Sequence, residues 1–147
     1  MEGKYPVRSM EDLESLGHSM KWQHFEKLTG WVFENNDFEV YVNVIRKNPV
    51  MKRQYDVIAE NGRHVFAADC KRWAGGRYKA SAIKSSVEKH IERCVFLKNF
   101  TEKPVIPVIV TLMKEDVIIH DGVPVVPIGV LNTFLNTWER TGGVSLL

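Results

Sequence analysis

Cysteine is scarce in this chain: Cys70 and Cys94 are the only two, and neither belongs to a Cys-x-x-Cys pair. A disulfide scaffold and a structural zinc site are therefore not indicated, and a reducing, cytoplasmic setting is expected. Long apolar runs are missing too. The most apolar stretch, Val105 to Met113, is broken by Pro107 and Thr111 and falls far short of the roughly 20 residues a membrane helix needs. The opening Met-Glu-Gly-Lys-Tyr-Pro holds no apolar signal core, so export is not expected. Strong charge of one sign is also lacking. Twenty Lys and Arg stand against 18 Asp and Glu, a formal net charge of +2, which permits a polyanionic partner without requiring one.

What remains is the composition of an ordinary globular protein, 44% hydrophobic and 26% charged over 147 residues, with no repeat or low-complexity segment. One domain with a real core is expected. Residues 1–18 carry mixed charge without a clear period and read as an irregular or short helical lead-in. Trp22, Phe25, Leu28 and Val32 recur at helical spacing up to a stop at Asn35-Asn36-Asp37, which predicts a helix over 20–35 with Glu26 at the border of its apolar face. Phe38, Val40, Val42 and Val44 alternate with polar residues as in a strand that Asn48-Pro49 closes. Arg53 to Glu60 and His64 to Arg72 are two further strand-like runs, joined by Asn61-Gly62, the strongest short hairpin signal. A second helix is predicted over 79–99 from Ile83, Val87, Ile91, Cys94 and Val95, and Val105 to Val110 reads as a buried strand. A strand, helix, strand order implies a parallel crossover. Val117 to Ile119 and Val125 to Ile128 suggest a short edge hairpin, and Leu131, Phe134, Leu135 and Trp138 a closing helix.

The hairpin carries the chemistry. A two-residue loop at Asn61-Gly62 would set Glu60 opposite Arg63, Asp56 opposite Ala67 and Gln54 opposite Asp69. Asp69 and Lys71 then project from one face, with Asp56 their diagonal neighbour at about 7–8 Å between backbones. Two carboxylates that close suit Mg²⁺, which takes one or two carboxylates and keeps several waters for phosphate chemistry. The opposing reading is a solvated face of Lys52, Gln54, Asp56, Asp69 and Lys71. Against it, Tyr55, Val57, Phe66 and Ala68 fill the other face while Ile58, Val65 and Ala67 flank the acids, a pattern of burial in which unpaired carboxylates need a reason.

Phe25-Glu26 in the first helix, Gln54-Tyr55-Asp56-Val57-Ile58-Ala59 and Phe66-Ala67-Ala68-Asp69-Cys70-Lys71-Arg72-Trp73 together resemble the restriction-endonuclease-like, or PD-(D/E)XK, nuclease superfamily. The flavour is that of Mrr-type restriction endonuclease catalytic domains, with archaeal Holliday junction resolvases a related option. Tyr55 stands at the motif's proline, and Asp69 at a position that is often glutamine in Mrr-type enzymes. The resemblance implies an α/β fold with an αβββαβ core over about residues 20–112, a mixed central sheet flanked by helices, and a C-terminal hairpin and helix as an extension over 113–147. It implies Mg²⁺- or Mn²⁺-dependent hydrolysis of DNA phosphodiesters by a homodimer. Asp56, Asp69 and the Cys70 backbone carbonyl would hold the metal, Glu26 would complete the acidic cluster, and Lys71 would assist the attacking water. Ser85 or Ser86 are the polar offers on the following helix.

Basic residues crowd behind the motif as Lys71, Arg72, Arg77, Lys79, Lys84, Lys89 and Arg93, interleaved with Trp73 and Tyr78 around Gly75-Gly76. Arg72, Trp73, Arg77, Lys79, Lys89 and Arg93 are the expected DNA contacts. Glu88 and Glu92 would offset part of this charge if the helix is simply solvated. His90 and Cys94, four apart, have no second pair to make a zinc site and read as core packing. Cys70 should point away from Asp69 and Lys71. The rival to a nuclease is a non-catalytic nucleic-acid-binding module of the same fold, and a structural subunit with solvent-facing acids is the third reading.

Overall fold

The structure is a computed structural model that describes residues 22–73, 80–113 and 116–140. The lead-in expected over 1–18, and the Gly75-Gly76 loop with Arg77, Tyr78 and Lys79, lie outside the described residues. In chain order the elements are helix α1 (Trp22–Glu34), strands β1 (Glu39–Lys47), β2 (Lys52–Glu60) and β3 (Val65–Lys71), helix α2 (Ala80–Leu97), strands β4 (Val105–Thr111), β5 (Ile118–His120) and β6 (Val123–Pro127), and helix α3 (Leu131–Arg140). Short 3₁₀ turns follow α2 and precede α3. The result is an α/β protein built on one mixed six-stranded sheet in the order β1-β2-β3-β4-β6-β5. Among the described residues no helix is long and apolar enough to cross a membrane.

Each boundary has a local cause. α1 stops where expected: Asp37 adopts a left-handed φ of 65°, Phe38 N–H reaches back to Phe33 carbonyl, and the Asn36 amide donates to Val32 carbonyl and to Asn132 Oδ1 of α3, both at 2.9 Å. β3 and β4 run parallel across α2, with Val65 beside Val105 and Lys71 beside Thr111, as the strand, helix, strand order requires. The C-terminal hairpin turns through Asp121 and Gly122, both at positive φ, and pairs His120 with Val123. Within this hairpin β5 forms the edge of the sheet and β6 lies beside β4 as a parallel neighbour. The short edge hairpin expected from the sequence is thus present at one end of the sheet.

Apolar layers cover both faces of the sheet. On one side Phe25, Leu28, Phe33, Val57, Phe66, Val108, Leu131 and Leu135 form the larger core under α1 and α3. On the other, Cys94 and Leu97 of α2 pack on Tyr55, Ile58, Ala67 and Val105. α1 lies close to the sheet at Gly30, where an added Cβ would stand 2.9 Å from Val40 Cγ1. Gly30→Val should therefore lower stability by about 1–3 kcal/mol through overpacking, measured as a drop in thermal midpoint. An unchanged midpoint would mean that α1 can lift from β1 at no cost.

The hairpin register differs from the expected one. β2 and β3 pair as Glu60 with Val65, Ala59 with Phe66, Ile58 with Ala67 and Val57 with Ala68, two residues away from a tight Asn61-Gly62 turn. The connection is four residues long because Asn61 folds it as an Asx turn. Its Oδ1 accepts from the Arg63 and His64 N–H groups at 2.8 Å each, while Asn61 N–H donates to His64 carbonyl. A shift of two preserves the face of every residue, but it brings Asp56 level with Asp69 instead of with Ala67.

Candidate active site

At the level of Asp56 and Asp69 the ladder between β2 and β3 ends, since no pairing is made beyond Val57 and Ala68. Asp56 takes over as acceptor: its Oδ2 receives the Cys70 N–H at 2.8 Å, which ties the two strands as they part. β1 yields at the same level. Asn43, which faces Asp56, drops out of the β1–β2 pairing and takes a left-handed φ of 56°. Both strands change face here. Val42 and Val57 belong to the core under α1, whereas Val44 and Tyr55, two residues away in each strand, pack with the α2 side. Tyr55 is thus on the opposite face to that expected from simple alternation, and its hydroxyl donates to Arg93 carbonyl of α2 at 2.6 Å.

The parted strands open a cleft of about 470 Å³ whose lining includes Glu26, Asp56, Asp69, Lys71, His90 and Arg93. Glu26, on the inner turn of α1, is 2% exposed and its Oε1 has no hydrogen-bond partner. It is buried outright, beyond the border position expected. Asp69 is 7% exposed. Its Oδ2 lies 3.3 Å from Lys71 Nζ, an ion pair whose alignment falls short of a hydrogen bond. Burial, opposed by the Cys70 N–H and reinforced by Asp69 and Glu26, pushes the Asp56 carboxyl up to about 8. Cys70 points the other way, as expected, with its buried Sγ 3.5 Å from Thr29 Oγ1. Its thiol is raised far above the usual range chiefly by burial, which disqualifies it as a nucleophile.

His90 is buried on α2 as its spacing predicts, and it also lines the cleft. Its Nε2 bonds to Ala67 carbonyl at 2.8 Å, and because a carbonyl only accepts, Nε2 carries the proton. Burial lowers its pKa, so the ring is neutral, and Nδ1 bears a buried lone pair without a partner. Glu26 Oε1 and His90 Nδ1 are therefore acceptors without donors around one cleft, while Asp69 Oδ2 has the Lys71 ion pair; the two bare acceptors cost free energy until a cation or donor arrives. Among the described residues no three His, Cys, Asp or Glu side chains stand ready as a three-ligand group. Magnesium does not need one, since two carboxylates and water suffice. The residues present fit such an ion.

The expected DNA contacts divide. Arg93 lines the cleft. Arg72 and Lys89 are exposed, and Trp73 packs partly buried against the cluster of Ile83, Val87 and Val125. Lys89 shares a shallow hollow with Arg53, Glu88 and Glu92, where Arg53 grips the Glu92 carboxylate at 2.6 Å; that stretch of α2 is charge-balanced. Arg77 and Lys79 are outside the described residues. Ser85 and Ser86 do not line the cleft, and His90 and Arg93 are the α2 residues that do. Trp22, Gln23, Asn43 and Gln54 complete its mouth. The signal for His90 was its place one turn before Cys94 on the buried face of α2.

An uncharacterized protein of Archaeoglobus fulgidus is 34% identical over 116 residues, which cover 79% of this chain and 90% of that protein. The chain belongs to the family of that archaeal protein. No family model matches it. Among solved structures, protein VC1899 from Vibrio cholerae superimposes over 83% of this chain with a TM-score of 0.55 and 12% identity, a likeness of fold. A protein of unknown function, AF1548, matches over 67% of the chain with a TM-score of 0.44 and 18% identity. The chain spans about a third of the length of VC1899 and under half that of AF1548 (35% and 46%).

Proposed function

We propose that this protein is a metal-dependent nuclease of the restriction-endonuclease-like type, hydrolysing phosphodiester bonds in DNA with Mg²⁺ or Mn²⁺. The observation that carries the reading is the parting of β2 and β3 at Asp56 and Asp69, with Glu26 lining the same cleft and Lys71 beside Asp69. The element order from α1 to β4 supports it as well.

In this reading Asp56, Asp69 and the Cys70 carbonyl would hold the ion, and Glu26 would complete the acidic cluster. Bound there, such an ion would supply charge neutralisation at the phosphorus and acidify the attacking water. The chain's own parts do the rest. Asp56 is fixed by the Cys70 N–H, so its second oxygen is oriented before the ion binds. Lys71 draws on Asp69 for its position and presents an ammonium that orients water and steadies charge on the non-bridging oxygens. Arg93 at the cleft wall neutralises a neighbouring phosphate. A homodimer would pair two such sites for cutting both strands.

The test is cleavage of plasmid, linear, single-stranded and four-way-junction DNA in Mg²⁺ or Mn²⁺, comparing wild type with Asp69→Ala. Cleavage by wild type, abolished by chelation and lost by about a thousandfold or more in the variant, is the expected result. Binding without cleavage on every substrate and with both ions would overturn it in favour of a non-catalytic binding module.

A further inference from the structure

Resting on the nuclease reading, we infer that the cleft takes an unpaired nucleotide, so that the substrate is a single-stranded segment of nucleic acid and not a continuous duplex. The mouth of the cleft is made of Trp22 and Gln23 from α1, Asn43 from β1 and Gln54 from β2. Three carboxamides from three separate elements are exposed there. Each offers both a donor and an acceptor, the equipment that reads a base edge. Trp22 makes a T-shaped contact with Phe25, the rings nearly perpendicular and 6.4 Å apart, which steadies an indole that remains partly exposed. An aromatic plane beside amides is how proteins hold splayed-out bases.

Charge and size point the same way. Lys71 and Arg93 in the lining can engage the phosphates on either side of a single nucleotide. A volume of about 470 Å³ is that of a small-molecule pocket. A scissile phosphate held at Asp56 and Asp69 would keep the attached base in the cleft that these amides also line.

Asn43 adds an independent observation. A left-handed backbone in mid-strand is costly for every residue type except glycine and, less so, asparagine or aspartate, and such strain gathers at functional sites. Here it coincides with the break opposite Asp56. The same geometry supplies a clean variant, because Asn43→Gly keeps the backbone conformation and removes only the amide.

Binding is measured by fluorescence anisotropy in Ca²⁺, without turnover, on a labelled 20-nucleotide DNA strand, the same strand as RNA, its duplex, and the DNA strand with one abasic site. The strand should bind about tenfold or more tighter than the duplex, and Asn43→Gly and Trp22→Ala should each lose about that factor on the strand alone. The DNA and RNA arms tell which sugar is accepted. On a flap substrate in Mn²⁺, an abasic nucleotide at the scissile phosphate should slow wild type and leave Asn43→Gly unaffected. Equal affinity for duplex and strand, or variants that bind like wild type, would overturn the inference while leaving the nuclease reading intact. No binding to any nucleic acid would overturn both.

Discussion

Freed of divalent ions, the protein should lose stability as pH rises from about 4 to about 8, and Asp56→Asn should remove that slope. In the fold the Asp56 carboxyl is pushed up from 3.8 to about 8, first by burial and then by Asp69 and Glu26. Between these values the folded state keeps a proton that the unfolded chain releases. Stability that depends on this proton is fully present below about pH 4 and is lost as pH climbs through the folded value. Asp56 is not wholly enclosed, so the expected loss is about 2 kcal/mol, well under the full cost of a buried charge.

Asparagine keeps an oxygen for the Cys70 N–H and adds a donor toward Asp69, so the variant should be the more stable protein at pH 8 in chelator. Cleavage would be lost with it. Addition of Mn²⁺ at pH 8 should restore wild type, by about 2.7 kcal/mol at a concentration of one hundred dissociation constants, and leave Asp56→Asn nearly unmoved. Thermal melts of both proteins at pH 5, 6, 7 and 8, with and without ion, decide the matter. Parallel curves for the two proteins would mean that the charge at Asp56 is not what the fold strains to hold.

Much of this site was legible in the sequence. Alternation and helical spacing placed α1, β1, β2, β3, α2 and β4, because each buries one apolar face or two and the periods differ. The spacing of Asp69 and Lys71 fixed their common face whatever the register. What sequence could not supply came from departures from regularity. Asn61-Gly62 has the chemistry of a two-residue turn, yet Asn61 can also cap a longer one through its side chain, and nothing local chooses between them. The face change at Asn43 and Tyr55 breaks the strand period, so alternation alone puts Tyr55 on the wrong side. His90 looked like any apolar-face histidine because its bare Nδ1 exists only once Ala67 carbonyl has claimed Nε2.

Lys71 separates binding from chemistry. Lys71→Met should leave ion affinity and strand binding within a few-fold of wild type, since Asp56 and Asp69 remain and one cation of the lining is lost. The cleavage rate at saturating ion and substrate should fall by about 10²–10⁴, the usual worth of a group that handles a proton or orients the attacking water. Lys71→Arg should not rescue it: a planar guanidinium holds its proton and presents a wide fork where a compact ammonium is required. Single-turnover cleavage with separately measured binding provides both numbers. A Lys71→Met protein that cuts at the wild-type rate would place water activation elsewhere in the cleft. His90 would then be the side chain to substitute next, because its Nδ1 is a buried neutral base with no other partner.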